Sequence, residues 1–188
     1  MKLEEIVTVK TGRNQSRLND NPPLVVYSYE DLINDLDGLH MDFKGDHFIN
    51  GDSNLSDSYA TNEGDVVFSF VSSKAGIVSK QNQGKIINQN FARLIIDTEQ
   101  LNRQYLCYAL NESQSIKKQM AISMQGSTLP KLTPAILKEL ELTLPSIKKQ
   151  QVIGQAYFII RKQQALAKQQ AALEEQLVLG ILKKLEQN

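Results

Sequence analysis

The chain has 188 residues, 41% of them hydrophobic and 22% charged, with a formal net charge of zero. Its size allows one well-buried core, so one globular unit plus an appendage fits best. Lys2 to Glu5 is charged and no apolar run follows it, so nothing here resembles a signal peptide; with no run long enough for a membrane span, a cytoplasmic location with no membrane partner is expected.

The charges are unevenly placed. Between Asp20 and Asp65 nearly every charge is acidic, Lys44 being the exception, whereas from Val66 to Lys138 bases predominate, among them Lys74, Lys80, Lys85, Arg93, Lys117 and Lys131. A head with an acidic and a basic side can still bind a polyanion in one orientation.

In chain order, Leu3 to Val9 is short and apolar at alternate positions. The following Lys10-Thr11-Gly12-Arg13-Asn14-Gln15-Ser16-Arg17 is a basic, hydroxyl- and amide-rich loop suited to phosphate or base-edge hydrogen bonds, with a solvated surface loop as the alternative. Asn21-Pro22-Pro23-Leu24 lacks the aromatic ring that marks adenine methyltransferases, so the prolines read as a rigid lead into a strand from Leu24 to Tyr29. Glu30 to Leu36 reads as a short helix. His40 and His47 lie among acids, but their spacing fits no standard zinc pattern, and no metal or cofactor is expected.

Gly64 to Val71 is a turn followed by a buried strand, which delivers the chain into the small polar loop Ser72-Ser73-Lys74-Ala75-Gly76. Ile77 to Ser79 and Lys85 to Ile87 read as a hairpin around Gln81-Asn82-Gln83-Gly84, and Phe91 to Ile96 as a further strand. Leu101 to Ser123 reads as one helix with Tyr105, Tyr108, Ala109 and Ile116 on its inner face. Cys107, in the apolar run Tyr105 to Leu110, reads as a buried thiol without a disulfide or metal partner. After the turn-rich loop Met124 to Leu132, Thr133-Pro134 caps a short helix through Glu139. Leu140, Leu142 and Leu144 alternate as a last strand.

From Pro145 to Asn188 there is no further proline, and apolar residues return at helical spacing. Val152, Ile159, Leu166 and Leu173 lie seven apart, and Ile153, Ile160, Ala167 and Ile181 run beside them, with Leu177 continuing the stripe. A helix of this length is about 60 Å long, too long for one small domain to bury. It reads as a dimerisation or docking arm, with Gln163 and Gln170 as polar seam residues able to select one register. The expected fold is therefore α+β: a mixed-sheet globular head over residues 1–144 and one long C-terminal α-helix, a coiled-coil arm, over 145–188.

Gln125-Gly126-Ser127-Thr128, Pro130-Lys131-Leu132, Leu144-Pro145 and then Ile147, Gln150 and Ile153 before a long helix are similar to the end of a target recognition domain and its following helix in type I restriction-modification specificity subunits. Gly64 to Gly76 and Asn88-Gln89-Asn90-Phe91-Ala92 resemble that domain's middle, and Lys10-Thr11-Gly12 its opening. Lys148-Lys149 depart from the acidic residues common there. Family members generally carry two recognition domains and two such helices, whereas this chain has room for one of each.

The resemblance implies a noncatalytic, DNA-reading component whose partners are double-stranded DNA and the methyltransferase (modification) and restriction subunits. A second copy, paired through an antiparallel arm, would place two heads on a split, palindromic target. No nuclease pair, catalytic triad or glycine-rich cofactor turn is visible, in keeping with a protein that is not an enzyme. The candidate DNA contacts are Lys10, Thr11, Arg13 and Asn14; Ser72, Ser73 and Lys74; and Gln125, Ser127, Thr128 and Lys131. Two other readings stay open: a DNA-mimicking or partner-binding regulator of methyltransferase subunits that draws on the acidic Asp20 to Asp65 stretch, and a coiled-coil scaffold with a globular head.

Overall fold

A computed structural model describes residues 1–14, 23–39, 48–50, 56–125 and 132–187. The apolar residues of the middle of the chain build a four-stranded sheet, ordered β1 (Val7–Thr11), β6 (Phe91–Ile96), β4 (Val66–Ser69), β5 (Lys74–Ile77). Every ladder in it is antiparallel. Among the described residues, parallel pairing is confined to the isolated bridges Arg13 to Asn88 and Val26 to Ile86. A separate pair joins β2 (Pro23–Val25) to β3 (Phe48–Asn50), and β3 is followed by the one-turn helix α2 (Ser56–Tyr59).

The sheet is covered on both faces, which explains why β4 is buried at all four positions rather than at alternate ones. Successive side chains of a strand point to opposite faces. Val66 and Phe68 accordingly enter the larger core with Leu3, Leu94, Leu101, Leu106 and Leu110, while Val67 enters a smaller one with Tyr27, Leu32, Val78, Ile87 and Phe91. The helix α1 (Tyr29–Asp37) supplies Leu32 to the smaller core. It begins on a reciprocal cap between Ser28 and Asp31 and ends on Gly38 in the left-handed conformation, φ 62°.

The larger core is closed by α3 (Arg103–Glu112), α4 (Gln114–Met124), α5 (Pro134–Glu139) and the first turns of α6 (Ile147–Glu186). The single helix expected over Leu101 to Ser123 is thus two, divided at Ser113, whose ψ of 122° breaks the helical path. Just before the break Asn111, 1% exposed, turns inward. It accepts the Ala75 N–H at 2.7 Å, donates to the Ala75 carbonyl at 2.8 Å and donates to the Tyr157 hydroxyl at 3.1 Å. One amide therefore satisfies the outer edge of β5 and ties sheet, α3 and α6 together.

Three strand assignments change. The strand expected from Leu24 to Tyr29 is the shorter β2, Pro23–Val25, and Tyr29 already opens α1. The hairpin is not the one expected around Gln81 to Gly84: β4 pairs with β5, so Lys74, Ala75 and Gly76 are strand rather than loop, and Phe70 to Ser73 make the turn. Lys80–Asn82 is a short 3-10 turn, and Ile86 bridges to Val26 and Ala60. Leu140 to Leu144 is held by one bridge, Lys2 to Glu141, although Leu140 and Leu142 are buried as the alternation implies. The Thr133 cap and Pro134 start of α5 stand as expected, with Thr133 Oγ1 accepting the Ile136 N–H. Cys107 is fully buried, and burial pushes its thiol up.

The long helix presents two faces. Gln150, Gly154 and Tyr157 are buried against the head, and Arg161 forms an ion pair with Asp37 at the end of α1. At 100° per residue, Val152, Ile159, Leu166, Leu173 and Leu177 lie roughly 180° from that line. All five are exposed, as are Ile160, Ile181, Gln163 and Gln170, whereas Ile153 turns partly into the head's core. Gln170 donates to Glu174 at 2.8 Å along the arm. No helix among the described residues is long and apolar enough to cross a membrane.

Candidate nucleic-acid interface

The antiparallel order brings four chain segments to one end of the sheet. Thr11 and Ala92, Phe91 and Ser69, and Ser69 and Lys74 are partners in register, so β1 and β4 end where β6 and β5 begin. Across that end the order is Gly12 to Asn14, Asn88 to Asn90, Phe70 to Ser73, then Lys74. Two of the three sequence-nominated clusters thus meet here. Three strand spacings separate the outer strands, roughly 14 Å, which is close to the width of a DNA major groove.

Each segment is held by its own backbone. Gly12 donates to the Phe91 carbonyl at 2.9 Å, Arg13 to that of Ile87 at 3.0 Å, and Gln89 to that of Arg13 at 2.8 Å. A Cβ on Gly12 would stand 2.3 Å from the Asn88 carbonyl oxygen, so the close approach this glycine permits is to the protein's own chain. Lys10 and Thr11 are exposed on β1.

In the hairpin turn the Ser73 N–H reaches the Ser69 carbonyl at 2.9 Å, and Ser73 has φ 55°, a left-handed conformation unusual for a residue with a side chain. The Ser72 hydroxyl is enclosed, without a hydrogen-bond partner among the described residues; the side chain that the turn offers to solvent is Val71, 69% exposed. Lys74 is paired with Glu112 at 3.4 Å, and Glu112 also takes Lys117 at 2.7 Å. Burial pushes the Glu112 carboxyl up, but these two ammonium groups outweigh it and leave it below its ordinary range.

Between the turn and the Asn88 to Asn90 segment lies a cleft of about 270 Å³. Its apolar part includes Tyr27 and Phe91, whose rings meet edge to face with centroids 5.6 Å apart, and its polar part includes Asn88, Asn90 and Ser69. Asn88-Gln89-Asn90 resemble the family's middle segment, but none of the three is among the contacts that residue type nominates. The strand order needed to put them between the two nominated loops is not a local signal. Gln125 caps the end of α4, bonded through its N–H to the Ile122 carbonyl, and no hydrogen bond among the described residues ties it to this end. Ser127, Thr128 and Lys131, like His40 and His47, lie outside the described residues.

Among the described residues, four acids of the Asp20 to Asp65 stretch are engaged inside the fold, while Glu30 and Glu63 are exposed. Asp31 pairs with Lys85 at 3.0 Å, Asp65 with the buried Arg93 at 3.4 Å, and Asp37 with Arg161. Asp35 accepts from the Tyr27 hydroxyl at 2.7 Å and from Asn82 at 2.9 Å. Burial pushes the Asp35 carboxyl up, against the pull of those bonds and of the Ser79 N–H, and burial raises Tyr27 well above the usual phenol range. Among the described residues no group of three or more His, Cys, Asp and Glu side chains is placed to hold a metal.

The head is helices on an antiparallel sheet, with loops gathered at one sheet end and an arm leading away. The chain belongs to the family of type I restriction modification DNA specificity domains, whose model matches residues 1–175. Solved structures share the fold. The HsdS subunit from Thermoanaerobacter tengcongensis has 19% identity and a TM-score of 0.56, covering 91% of this chain and 39% of its own. A second chain, from a structure described as the basis of complex assembly and conformational transition of the type I R-M system, has 15% identity and a TM-score of 0.61, covering 94% of this chain and 45% of its own. This chain therefore spans less than half the length of these neighbours. A search of curated proteins found no match.

Proposed function

We propose that this chain is a noncatalytic specificity component that reads DNA with the sheet end described above and holds methyltransferase and restriction subunits in register on the target. Residues 1–144 act as the recognition domain, and the arm from 145 pairs antiparallel with that of a second copy. Twofold symmetry then sets two heads on inverted half-sites, with the arm fixing their separation. The observation that carries the pairing is the two-faced helix: one line of α6 is spent on the head, and the opposite line leaves Val152, Ile159, Leu166, Leu173 and Leu177 exposed. An apolar stripe of that kind gains its stability from a partner helix.

Of the acids on which the regulator reading draws, Asp31, Asp35, Asp37 and Asp65 are engaged within the fold and so do not serve as an exposed acidic surface. Sedimentation equilibrium tests the pairing: the chain is expected to be a dimer at micromolar concentration and the Ile160→Asp, Leu166→Asp variant a monomer with its head still folded. A monomeric parent overturns the pairing. Methylation mapping with the modification subunits is expected to return a split palindrome, and an unsplit or asymmetric target overturns that part of the proposal.

A further inference from the structure

We propose that the cleft at the sheet end reads one A·T pair in the major groove, with the Asn90 amide on the adenine edge and Val71 on the thymine methyl; this rests on the DNA-reading function above. The two residues line the same cleft from opposite segments. Asn90 is fixed by its main chain: its N–H donates to the Asn88 side-chain oxygen at 2.9 Å, and its carbonyl accepts the Phe70 N–H at 2.9 Å. Its own side-chain amide makes no hydrogen bond with the described residues. A held backbone with an uncommitted amide is a preorganised reader.

Val71 completes the selection. It is a branched apolar side chain, 69% exposed, on a turn whose neighbour Ser73 sits at φ 55°, so the chain keeps an apolar group in solvent at a position it does not use for packing. Adenine alone offers an acceptor and a donor together to an amide in the major groove. Guanine offers two acceptors and would leave the amide oxygen unpaired. Thymine alone carries a methyl group there. An amide and an aliphatic side chain in one cleft therefore match the two halves of a single A·T pair. On the outer strands, Lys10 and Arg13 of the β1 segment and Lys74 of β5 put cationic side chains outside these readers.

The experiment uses the chain together with its modification subunits and a duplex carrying the target found by methylation mapping. Each thymine is replaced in turn by deoxyuridine, which deletes only the methyl group. One replacement is expected to weaken binding by the parent about fourfold, the worth of one buried methyl, and to leave Val71→Ala unaffected. Asn90→Asp, an acceptor without a donor, is expected to shift the preference at that same pair from adenine toward cytosine by roughly tenfold. Val71 is exposed, so its variant tests the cleft even where Asn90→Asp fails to fold. Deoxyuridine tolerated at every position, or a replacement that weakens parent and Val71→Ala alike, overturns the cleft assignment while specific binding by the parent keeps the DNA-reading function. Absence of specific binding by the parent overturns both.

Discussion

Gly154 of α6 crosses Gln104 of α3 so closely that a Cβ on the glycine would stand 2.6 Å from the Gln104 Cβ and 2.6 Å from the Tyr105 backbone nitrogen. The obstacles are backbone and Cβ atoms, which cannot swing away. Gly154→Ala gains about 1 kcal/mol of helix propensity, yet it must force the helices apart at a cost of about 1–3 kcal/mol. The clash is expected to win, and Gly154→Val to be worse. At Gly180, where nothing lies within 4 Å of a Cβ, the same change to alanine is expected to add to the helicity of the arm. Urea midpoints of the two alanine variants should move in opposite directions, and a stabilised Gly154→Ala would refute the tight crossing.

Gln150 is the polar half of the same joint. It is 1% exposed; its carbonyl oxygen accepts the Asn102 N–H at 2.9 Å, and its amide donates to the carbonyls of Gln100 at 3.1 Å and Pro145 at 2.9 Å. Gln150→Leu keeps the bulk and strands these backbone groups, for a loss of about 3 kcal/mol. Gln150→Glu restores the acceptor but faces a carboxylate toward two carbonyls, so its folded pKa is raised and its stability is expected to fall as pH rises through that pKa. Denaturation at acidic and neutral pH checks this. A pH-independent glutamate variant would show that the site is wetter than the structure has it.

Alkaline stability follows from the tyrosines. Burial pushes Tyr157 up to about 12 and raises Tyr105 and Tyr27 as well. Above pH 10 the unfolded chain gives up phenolic protons that the folded chain keeps, so stability is full below about 10 and falls toward 12. Phenolate absorbance from these three rings is expected to rise together with unfolding. Tyr157→Phe should flatten the fall, although it removes the acceptor of the Asn111 amide. Titration of all the rings while the protein remains folded would contradict the burial.

Local chemistry announced some elements and tertiary packing decided others. The cap and proline at Thr133 and Pro134 and the largely apolar run Phe91 to Ile96, ending on two isoleucines, carry their signals within a few residues. Gly76 does not: a glycine after serines suggests a loop, yet it sits in β5 because Leu32 of α1 packs so close that a Cβ would meet its side chain at 2.9 Å. The break at Ser113 coincides with the turn of Asn111 onto a strand edge 36 residues earlier in the chain, which no helical periodicity reports. Residue type alone nominates Lys10 to Asn14 and Ser72 to Lys74 as candidate contacts, but does not show that they share one end of the sheet. The site's assembly depends on β6 lying between β1 and β4, and that order alone places Asn88 and Asn90 between the two loops. In the arm, spacing revealed the outer stripe, while the inner line of Gln150, Gly154 and Tyr157 is polar, small and aromatic in turn and carries no apolar period.

Lys10 separates DNA contact from fold maintenance. It is exposed on the outer strand β1, beside the candidate interface, whereas Lys85 pairs with Asp31 inside the fold. If Lys10 neutralises a phosphate, Lys10→Ala weakens specific and nonspecific duplexes alike and reduces the slope of log affinity against log salt by about 0.9. Lys85→Ala is expected to leave that slope unchanged and to lower the denaturation midpoint instead, because it uncouples a largely enclosed carboxylate from its partner. Fluorescence anisotropy over a series of salt concentrations, with the modification subunits present, distinguishes them. An unaltered slope for Lys10→Ala would move the phosphate contact elsewhere on the sheet end, and a reduced slope for Lys85→Ala would extend the interface beyond it.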